Sequence, residues 1–311
     1  MSPAKKNLVV VAGPTASGKS DVAILLAKYF KTEIISADSR QFYKEIPIGT
    51  AAPGREQLAA VKHHFAGHLS VKDDYNVSRF EQDVLNLLDE LFKTHEVVIM
   101  VGGSGLYIDA VCKGIDELPE PDETIRNSLN ELVEKKGIGT LQRKLKRLDP
   151  AYYNQVDLYN PKRLIRAIEV CLQTGKPYSQ LRQNKPKKRD FDIIKIGMEV
   201  PREILVERIA HRTYEMMEKG WLEEALKVYP MKDCNALNTV GYKELFKYFD
   251  GEWDLDTAIQ KIITNTRRYA RRQMTWFRKD KAIAWFDPSD VEGMIRLVEE
   301  KSGVSSNGVS P

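Results

Sequence analysis

One eight-residue motif near the start of the chain, GPTASGKS at residues 13–20, constrains the fold more than any other feature. It fits the pattern G-x-x-x-x-G-K-[ST] and lies between an apolar, strand-like run at residues 8–12 and a helical pattern that starts near Val22. In this context, glycines let backbone N–H groups wrap around a phosphate chain, and the helix N-terminus adds positive potential. We therefore predict a phosphate-binding P-loop that holds a diphosphate or a triphosphate. Its residues are Gly13, Pro14, Thr15, Ala16, Ser17, Gly18, Lys19 and Ser20. Lys19 adds a point charge, and the Ser20 hydroxyl is the predicted ligand of Mg²⁺.

The remaining apolar runs predict an α/β fold. Runs typical of buried parallel strands occur at residues 33–38, 97–103, 193–200 and 282–286. Long helical patterns cover residues 204–229 and 255–277. The fold class expected from this order is a P-loop NTPase-like parallel sheet core with a helical insertion domain.

The insertion is predicted where the strand signal disappears. Residues 116–190 contain short helical patterns that are broken by proline and glycine, and the segment ends in a basic stretch. We expect a core made of residues 1–115 and 191–301 around this insertion. Residues 302–311 lack any core-forming pattern, and we predict a disordered tail there.

Composition excludes several classes of protein. The chain has 311 residues, of which 42% are hydrophobic, which rules out a fibrous or wholly disordered protein. No apolar run approaches the roughly 20 residues that span a bilayer, and no signal-type segment is present, so we expect a cytoplasmic protein with no membrane partner. The three cysteines lie far apart and are interpreted as core thiols; His63, His64 and His68 are interpreted as local packing.

Asp38 is the first candidate for chemistry outside the P-loop. It follows the second predicted strand, and in an open α/β sheet that edge faces the same crevice as the P-loop. A Mg²⁺ ligand and a general base are both compatible with this position. The alternative is structural: Asp38 is the N-cap of a helix that begins at Ser39.

The motif GGSGLY at residues 102–107 follows another predicted strand. A nucleotide-hydrolysing enzyme often has an acidic residue at such a strand end to support Mg²⁺, and this motif has none. Its absence favours a P-loop fold adapted to another reaction, with Ser104 or exposed N–H groups lining a channel.

Positive charge is concentrated although the net charge is only +4. The clusters are Arg182, Lys185, Lys187, Lys188 and Arg189; Arg267, Arg268, Arg271 and Arg272; and Lys162, Arg163 and Arg166. Tyr269, Trp276 and Phe277 lie in or near the second cluster, which suits RNA phosphate contact with stacking, whereas a solvated helix face or core aromatics are the structural alternatives. Arg212 lies on a predicted helix from which it could reach the phosphates.

Seven ordered motifs give the chain a resemblance to the tRNA dimethylallyltransferase family, also called tRNA isopentenyltransferases. They are GPTASGKS, SADSRQFY (36–43), IGTAAP (48–53), GGSGLY, NPKRLIRAIEV (160–170), TVGYKE (239–244) and TRRYARRQMTWFR (266–278). Together they run from Gly13 to Arg278, nearly the whole chain. Ser104 stands where the family commonly has Thr, which keeps the hydroxyl. The eukaryotic members' C-terminal zinc finger is missing, so the resemblance is to the bacterial type.

The resemblance implies a transferase, expected as a monomer, that acts on the anticodon stem-loop of tRNA. It would move a dimethylallyl group from dimethylallyl diphosphate to the N6 amine of the adenosine 3′-adjacent to the anticodon (position 37). The substrates would be tRNAs that read codons beginning with U, and the products N6-dimethylallyladenosine and diphosphate.

The resemblance also implies residue roles. Asp38 is the implied base, Ser104 lies beside the reaction channel, and Arg212 acts with Lys19, loop N–H groups and Mg²⁺ on Ser20 to stabilise the leaving diphosphate. The implied tRNA contacts are Asp38, Ser39, Arg40, Gln41, Ser104, Arg126, Lys162, Arg163, Leu164, Ile165, Arg166, Val240, Gly241, Tyr242, Lys243 and Glu244.

Two other functions remain open from the sequence. A P-loop kinase using ATP fits the composition and GPTASGKS, but it leaves the basic clusters without explanation. A nonenzymatic RNA-binding module that keeps the P-loop only as a structural element is the alternative from another class.

Overall fold

The computed structural model describes residues 6–183 and 185–304. These residues form two compact units, one from the described residues up to Cys112 and from Arg189 onwards, the other from Lys113 to Lys188. No helix within the described part of the chain is long and apolar enough to cross a membrane.

The first unit contains all the strands of the described residues. They are β1 (Asn7–Ala12), β2 (Ile34–Ser36), β3 (His63–His64), β4 (Val97–Gly102), β5 (Asp192–Met198) and β6 (Ile283–Phe286). The α-helices in the described part of the chain are α1 (Lys19–Tyr29), α2 (Arg55–Ala60), α3 (Val77–Leu91), α4 (Gly105–Lys113), α5 (Glu123–Lys136), α6 (Gly139–Leu148), α7 (Pro150–Tyr153), α8 (Pro161–Thr174), α9 (Tyr178–Leu181), α10 (Arg202–Glu218), α11 (Trp221–Val228), α12 (Tyr242–Phe249), α13 (Leu255–Phe277) and α14 (Val291–Ser302). Short 3-10 helices cover Tyr229–Met231 and Asn235–Leu237.

The six strands form one parallel sheet in the order β3-β2-β4-β1-β5-β6. All six residues of β1 and of β4 are buried, as expected for strands covered by helices on both faces. Since the strands are parallel, the segments that follow β1, β2 and β4 meet at one edge of the sheet. The predicted α/β fold with a P-loop-like parallel sheet is confirmed.

Alternate residues of β1 enter two different core layers. Leu8 and Val10 pack in the layer that includes α3, α11 and α12, whereas Val9 and Val11 pack against α1 and α14. This is the period-two alternation of a strand, here apolar on both faces. The helices thus cover both faces of the sheet and leave the ends of its strands for the site.

Two predicted element limits differ from the structure. The helical pattern over residues 204–229 is divided at Gly220, whose φ of +92° lies in the left-handed region that ends one helix and permits the next to begin. The predicted tail starts too early, because Ser302 is the last residue of α14 and is buried, and Gly303 caps that helix with a φ of +71°. Residues 305–311 of that prediction lie outside the described residues.

The second unit is a helical bundle of α5 to α9. Its core centres on α6 and α8, where Leu141, Leu145, Leu164 and Ile168 are fully buried. The unit begins at Lys113 and ends at Lys188, a few residues before the predicted limits at 116 and 190. No strand occurs in its described residues, as the sequence pattern indicated.

Candidate active site

The P-loop turns directly from β1 into α1. Gly18 has a φ of +83°, a conformation that side chains other than glycine rarely adopt. Lys19 Nζ donates to the backbone oxygen of Pro14 at 3.2 Å, so the side chain folds back over the loop. Burial lowers the pKa of Lys19 to about 8; Asp38 opposes this shift, and the positive charge of Arg212 adds to it. The structure therefore brings these three charged side chains into one electrostatic group.

Thr15, in the middle of the loop, is held by two residues distant in sequence. Its backbone N–H donates to Gln273 Oε1 at 2.9 Å, and its hydroxyl accepts a hydrogen bond from Arg212. Burial lowers the pKa of Arg212, whereas Asp38 raises it. Gln273 was not predicted as a site residue. The one sequence feature that could have indicated it is an uncharged polar side chain at a buried position of an arginine-rich helix.

Asp38 and Ser104 are brought together by the ends of β2 and β4. The Ser104 hydroxyl accepts from the Ser39 backbone N–H at 3.0 Å and donates to the Ser39 hydroxyl at 3.3 Å. Asp38 Oδ1 accepts from the Arg40 backbone N–H at 3.1 Å. A side chain at Gly102 would lie 2.2 Å from the backbone oxygen of Ala37, so glycine is needed for this close approach.

The helix N-cap interpretation of Asp38 is wrong. No helix begins at Ser39, and the chain forms turns there before the next helix, α2. Asp38 instead lines a cavity of about 100 Å³ together with Thr15, Arg212 and Tyr269. Apolar side chains form much of the remaining wall, namely Met216, Trp221, Val240 and Ile262.

Tyr269 of α13 lines the same cavity as Thr15 and Asp38. Burial raises its pKa, the negative charge of Asp38 adds to the rise, and a hydrogen bond with Ser104 counteracts it. The phenol therefore stays neutral at physiological pH and provides a polar group next to Asp38 and Ser104.

A buried carboxylate, Glu224, shapes another part of the cavity wall. Its two oxygens accept from the backbone N–H groups of Ile48 and Gly49 at 2.8 and 2.9 Å, and Oε1 also accepts from the Tyr242 hydroxyl at 2.5 Å. A Cβ atom at Gly49 would lie 2.0 Å from Trp221, so this loop requires glycine at that position. Sequence reasoning missed Glu224, because Ile48 and Gly49, whose backbone N–H groups it binds, lie about 175 residues away along the chain.

Several residues predicted to contact tRNA form hydrogen bonds within the first unit, called the core unit from here on. Gln41 Nε2 donates to the backbone oxygens of Thr50 and Ala51 at 3.2 and 2.9 Å, and Arg40 donates to those of Asn235 and Ala236. Tyr242 is fully buried, and Glu244 is buried with both oxygens bonded, one to the Gly241 N–H and one to Asn265. The side chains of Tyr242 and Glu244 are therefore used within the protein, and the predicted tRNA contact of the segment 240–244 falls to its backbone and to the exposed Lys243.

The helical unit shows the same pattern. Leu164 and Ile165 belong to its core, so their side chains pack inside the unit, and the predicted tRNA contact of this segment falls to its backbone and its exposed residues. Lys162 and Arg163 are exposed at the start of α8. Arg126 and Arg166 instead share the fully buried Glu169, with nitrogen–oxygen distances of 2.8 and 2.7 Å.

The basic clusters of the sequence also divide between surface and interior. Arg267, Arg268, Arg271 and Arg272 are all exposed on α13. Arg189, by contrast, is nearly buried and bonds to Glu81 at 2.6 Å and to the backbone oxygens of Ala110 and Val111. Arg189 thus leaves the surface, whereas Arg182, Lys185, Lys187 and Lys188 of its cluster remain exposed.

The histidines and cysteines follow the structural interpretation. His63 bonds to the backbone oxygen of Val61, His64 bonds to Glu33, and His68 lies edge-on to Phe42 and Phe65. Within the described residues, no group of three or more histidine, cysteine or acidic side chains is arranged to hold a metal. Cys112 and Cys171 are buried thiols, as predicted, whereas Cys234 is partly exposed.

The shifted pKa of Lys19 predicts a pH dependence of anion binding. The protonated ammonium is the form that attracts phosphate, and its folded-state pKa is lowered to about 8, so affinity is lost as the pH rises through 8. We expect the affinity for inorganic diphosphate to fall by up to about tenfold per pH unit above that point, measured by calorimetry between pH 7 and 9.5.

Lys19→Arg is the matched control for this titration, because a guanidinium stays charged throughout the range. Ionisation of the diphosphate itself affects both proteins equally, so the ratio of the two affinities isolates Lys19. A ratio that is independent of pH would contradict the assignment.

Fold and site together define a P-loop protein whose cavity joins a phosphate-binding loop to a carboxylate, in the class of enzymes that act on a phosphate ester or anhydride. Comparison with known proteins narrows this class: residues 41–280 match the family described as IPP transferase. The chain belongs to the IPP transferase family.

Similar proteins extend along almost the whole chain. It is 54% identical over 287 residues to tRNA dimethylallyltransferase 2 of Azobacteroides pseudotrichonymphae, which covers 92% of this chain and 94% of the relative. It is 53% identical over 280 residues to tRNA dimethylallyltransferase of Christiangramia forsetii, covering 90% and 93%. Among solved structures, the full-length tRNA isopentenylpyrophosphate transferase from Bacillus halodurans has a TM-score of 0.70 at 32% identity, covering 96% of this chain and 99% of that one.

Proposed function

We propose that this protein transfers a dimethylallyl group from dimethylallyl diphosphate to the N6 amine of the adenosine 3′-adjacent to the anticodon of tRNA. The observation that carries the proposal is that Asp38 lines the same cavity as Thr15 and Arg212 of the phosphate site. Asp38, as the proton acceptor, thereby lies beside the groups that stabilise the leaving diphosphate. Membership of the IPP transferase family agrees with this chemistry.

The reaction forms one bond and breaks one. The N6 lone pair attacks the allylic carbon, the carbon–oxygen bond to the diphosphate breaks, and its electron pair leaves with the diphosphate. The N6 proton passes to Asp38, which matters because an adenine amine is a weak nucleophile whose lone pair is delocalised into the ring. Ser104, bonded to Ser39, and Tyr269 supply neighbouring hydroxyls that orient the acceptor.

Charge builds up on the leaving diphosphate as the carbon–oxygen bond breaks. Lys19 and Arg212 supply two cations there, and the loop N–H groups supply dipoles already oriented for the purpose. The low-dielectric surroundings that lower the pKa values of both side chains also strengthen their attraction for the anion.

Mg²⁺ fits the oxygen donors of this site. The Ser20 hydroxyl lies at the start of α1, and no hydrogen bond from another described residue engages it; Asp38 is a carboxylate whose charge acts on the neighbouring Lys19. Hydroxyl, carboxylate and phosphate oxygens are the ligands that Mg²⁺ prefers. When bound, the ion would neutralise part of the diphosphate charge, with Ser20 as its protein ligand.

Exposed cations suit the tRNA substrate. Four arginines of α13 and the pair Lys162 and Arg163 of α8 present charge without an acidic partner among the ion pairs of the described residues. Single-stranded loops of RNA let a base leave its stack at a cost of a few kcal/mol, which suits an adenosine that must enter a cavity.

The contribution of Lys162 and Arg163 can be measured from the salt dependence of tRNA binding. Replacing both by glutamine removes up to two phosphate contacts, so we expect weaker binding and a slope of log K against log salt that is smaller by about two. Lys28→Gln with Lys31→Gln, two exposed lysines at the far end of α1, is the control and should leave the slope unchanged. An unchanged slope in the first variant would remove these residues from the interface.

Incorporation of labelled dimethylallyl diphosphate into unmodified tRNA tests the proposed function, with Mg²⁺ present and an ATP-only reaction alongside. Label in the tRNA supports the transferase. Phosphate release from ATP without label would favour a kinase. Tight tRNA binding with neither activity would favour an RNA-binding module.

A further inference from the structure

A single buried amide joins two loops of the site. Gln273 of α13 is 5% exposed, accepts from the Thr15 backbone N–H at 2.9 Å through Oε1, and donates to the Gly103 backbone oxygen at 2.9 Å through Nε2. Thr15 belongs to the P-loop, and Gly103 immediately precedes Ser104. These two hydrogen bonds together form the Gln273 bridge.

The bridge has one permitted orientation. Rotating the amide by 180° would place its NH₂ group against the Thr15 N–H and its oxygen against the Gly103 oxygen, which leaves both backbone groups unpaired in a buried place. The fit at Gly103 is also close, because a Cβ atom there would lie 2.2 Å from Gln273 Nε2. The side chain is therefore matched to one donor and one acceptor on two different loops.

A second residue of α13 lies near the loop that contains Gly103 and Ser104. Tyr269, one turn before Gln273, lies close enough to Ser104 for this side chain to lower its pKa. Both residues lie on one continuous helix of 23 residues whose inner face is fixed by Ile262, Ala270 and Phe277. This helix therefore provides a common, rigid reference for the two loops.

We propose that Gln273 is a positioning residue that holds the diphosphate-binding loop in register with the loop that holds the accepting amine. The inference rests on the proposed function. Each substrate is bound by groups of its own loop, but the transition state requires the nucleophile about 3 Å from the allylic carbon and aligned with the leaving oxygen. Loss of the bridge should thus affect the transition state far more than the binding of either substrate.

Gln273→Met tests this inference, because methionine keeps the length of the side chain and removes both hydrogen bonds. We expect kcat for transfer to fall by about 10- to 100-fold, while KM for dimethylallyl diphosphate and for tRNA each stay within about twofold. Gln260→Met, on an exposed position of the same helix where Gln260 donates to the Tyr214 hydroxyl, is the control and should keep wild-type kcat.

Calorimetry with inorganic diphosphate separates positioning from misfolding. A variant that is partly unfolded binds less than one equivalent, whereas a folded variant with a lost bridge binds one equivalent with nearly wild-type affinity. The proposal would be overturned if kcat fell only in proportion to the number of equivalents of diphosphate that the variant binds.

Gln273→Glu provides a pH profile that a purely structural role would not produce. A neutral carboxylic acid reproduces the amide, since its C=O accepts from Thr15 and its O–H donates to Gly103, whereas an ionised carboxylate faces the Gly103 oxygen with no proton. We expect the ratio of variant to wild-type kcat to rise as the pH falls. A ratio independent of pH, or a wild-type kcat in Gln273→Met, would overturn the inference; no transfer by the wild-type protein would overturn the proposed function as well.

Discussion

Asp38→Asn is expected to slow dimethylallyl transfer by about 100-fold or more. Asparagine keeps the size of the side chain and an oxygen that accepts the hydrogen bond from the Arg40 N–H, but it cannot accept the proton that leaves the adenine amine. A loss of this size is typical of a missing general base. The measurement is single-turnover transfer to tRNA, where product release does not limit the rate.

The binding of inorganic diphosphate serves as the internal control for this variant. We expect its affinity to be kept or increased, because Asp38 contributes a negative charge near Lys19 and Arg212. Asp89→Asn, an exposed carboxylate on α3, should leave transfer unchanged. Normal single-turnover rates in Asp38→Asn would remove this carboxylate from the reaction.

Glu169→Ala is expected to destabilise the helical unit by about 3 kcal/mol. Glu169 is fully buried and accepts from Arg126, Arg166 and the Asp122 backbone N–H, so its removal leaves four donor groups of three residues without their acceptor. Glu131→Ala, which breaks an exposed pair with Lys135 in the same unit, should cost less than about 1 kcal/mol.

The position of the tryptophans lets urea denaturation locate this effect. All four tryptophans of the chain lie outside residues 113–188, so their fluorescence reports on the core unit, whereas circular dichroism reports on the helices of both. For Glu169→Ala we expect the dichroism transition at lower urea, with a smaller shift in the fluorescence midpoint. Equal effects of Glu169→Ala and Glu131→Ala would show that the buried carboxylate is not stabilising.

Local patterns predicted the framework of the site. The P-loop, the strands that precede Asp38 and Ser104, and the helix Leu255–Phe277 all depend on periodicity and turn residues within short segments, and the structure confirms these elements. The split at Gly220 carried a local signal too, because a glycine after a helical pattern indicates its end.

Residues whose role depends on distant partners were not predictable in this way. Gln273 meets Thr15 across 258 positions of the chain, and Glu224 meets Ile48 across 176, so no window of sequence contains both partners. Leu164 and Ile165 show that a motif match alone does not say which atoms of a segment are available for contact. Their apolar spacing with Ile168 indicates a buried helix face, and the structure buries both side chains in the helical unit.

The most direct test of the central claim identifies the modified atom. An anticodon stem-loop RNA is incubated with the protein, Mg²⁺ and dimethylallyl diphosphate, and its nucleosides are analysed by mass spectrometry. A matched RNA carries purine riboside, which lacks the exocyclic amine, in place of the adenosine 3′ of the anticodon. We predict N6-dimethylallyladenosine at that adenosine in the first RNA and no product in the second. A dimethylallyl group elsewhere in the RNA, or equal modification of both RNAs, would contradict the account.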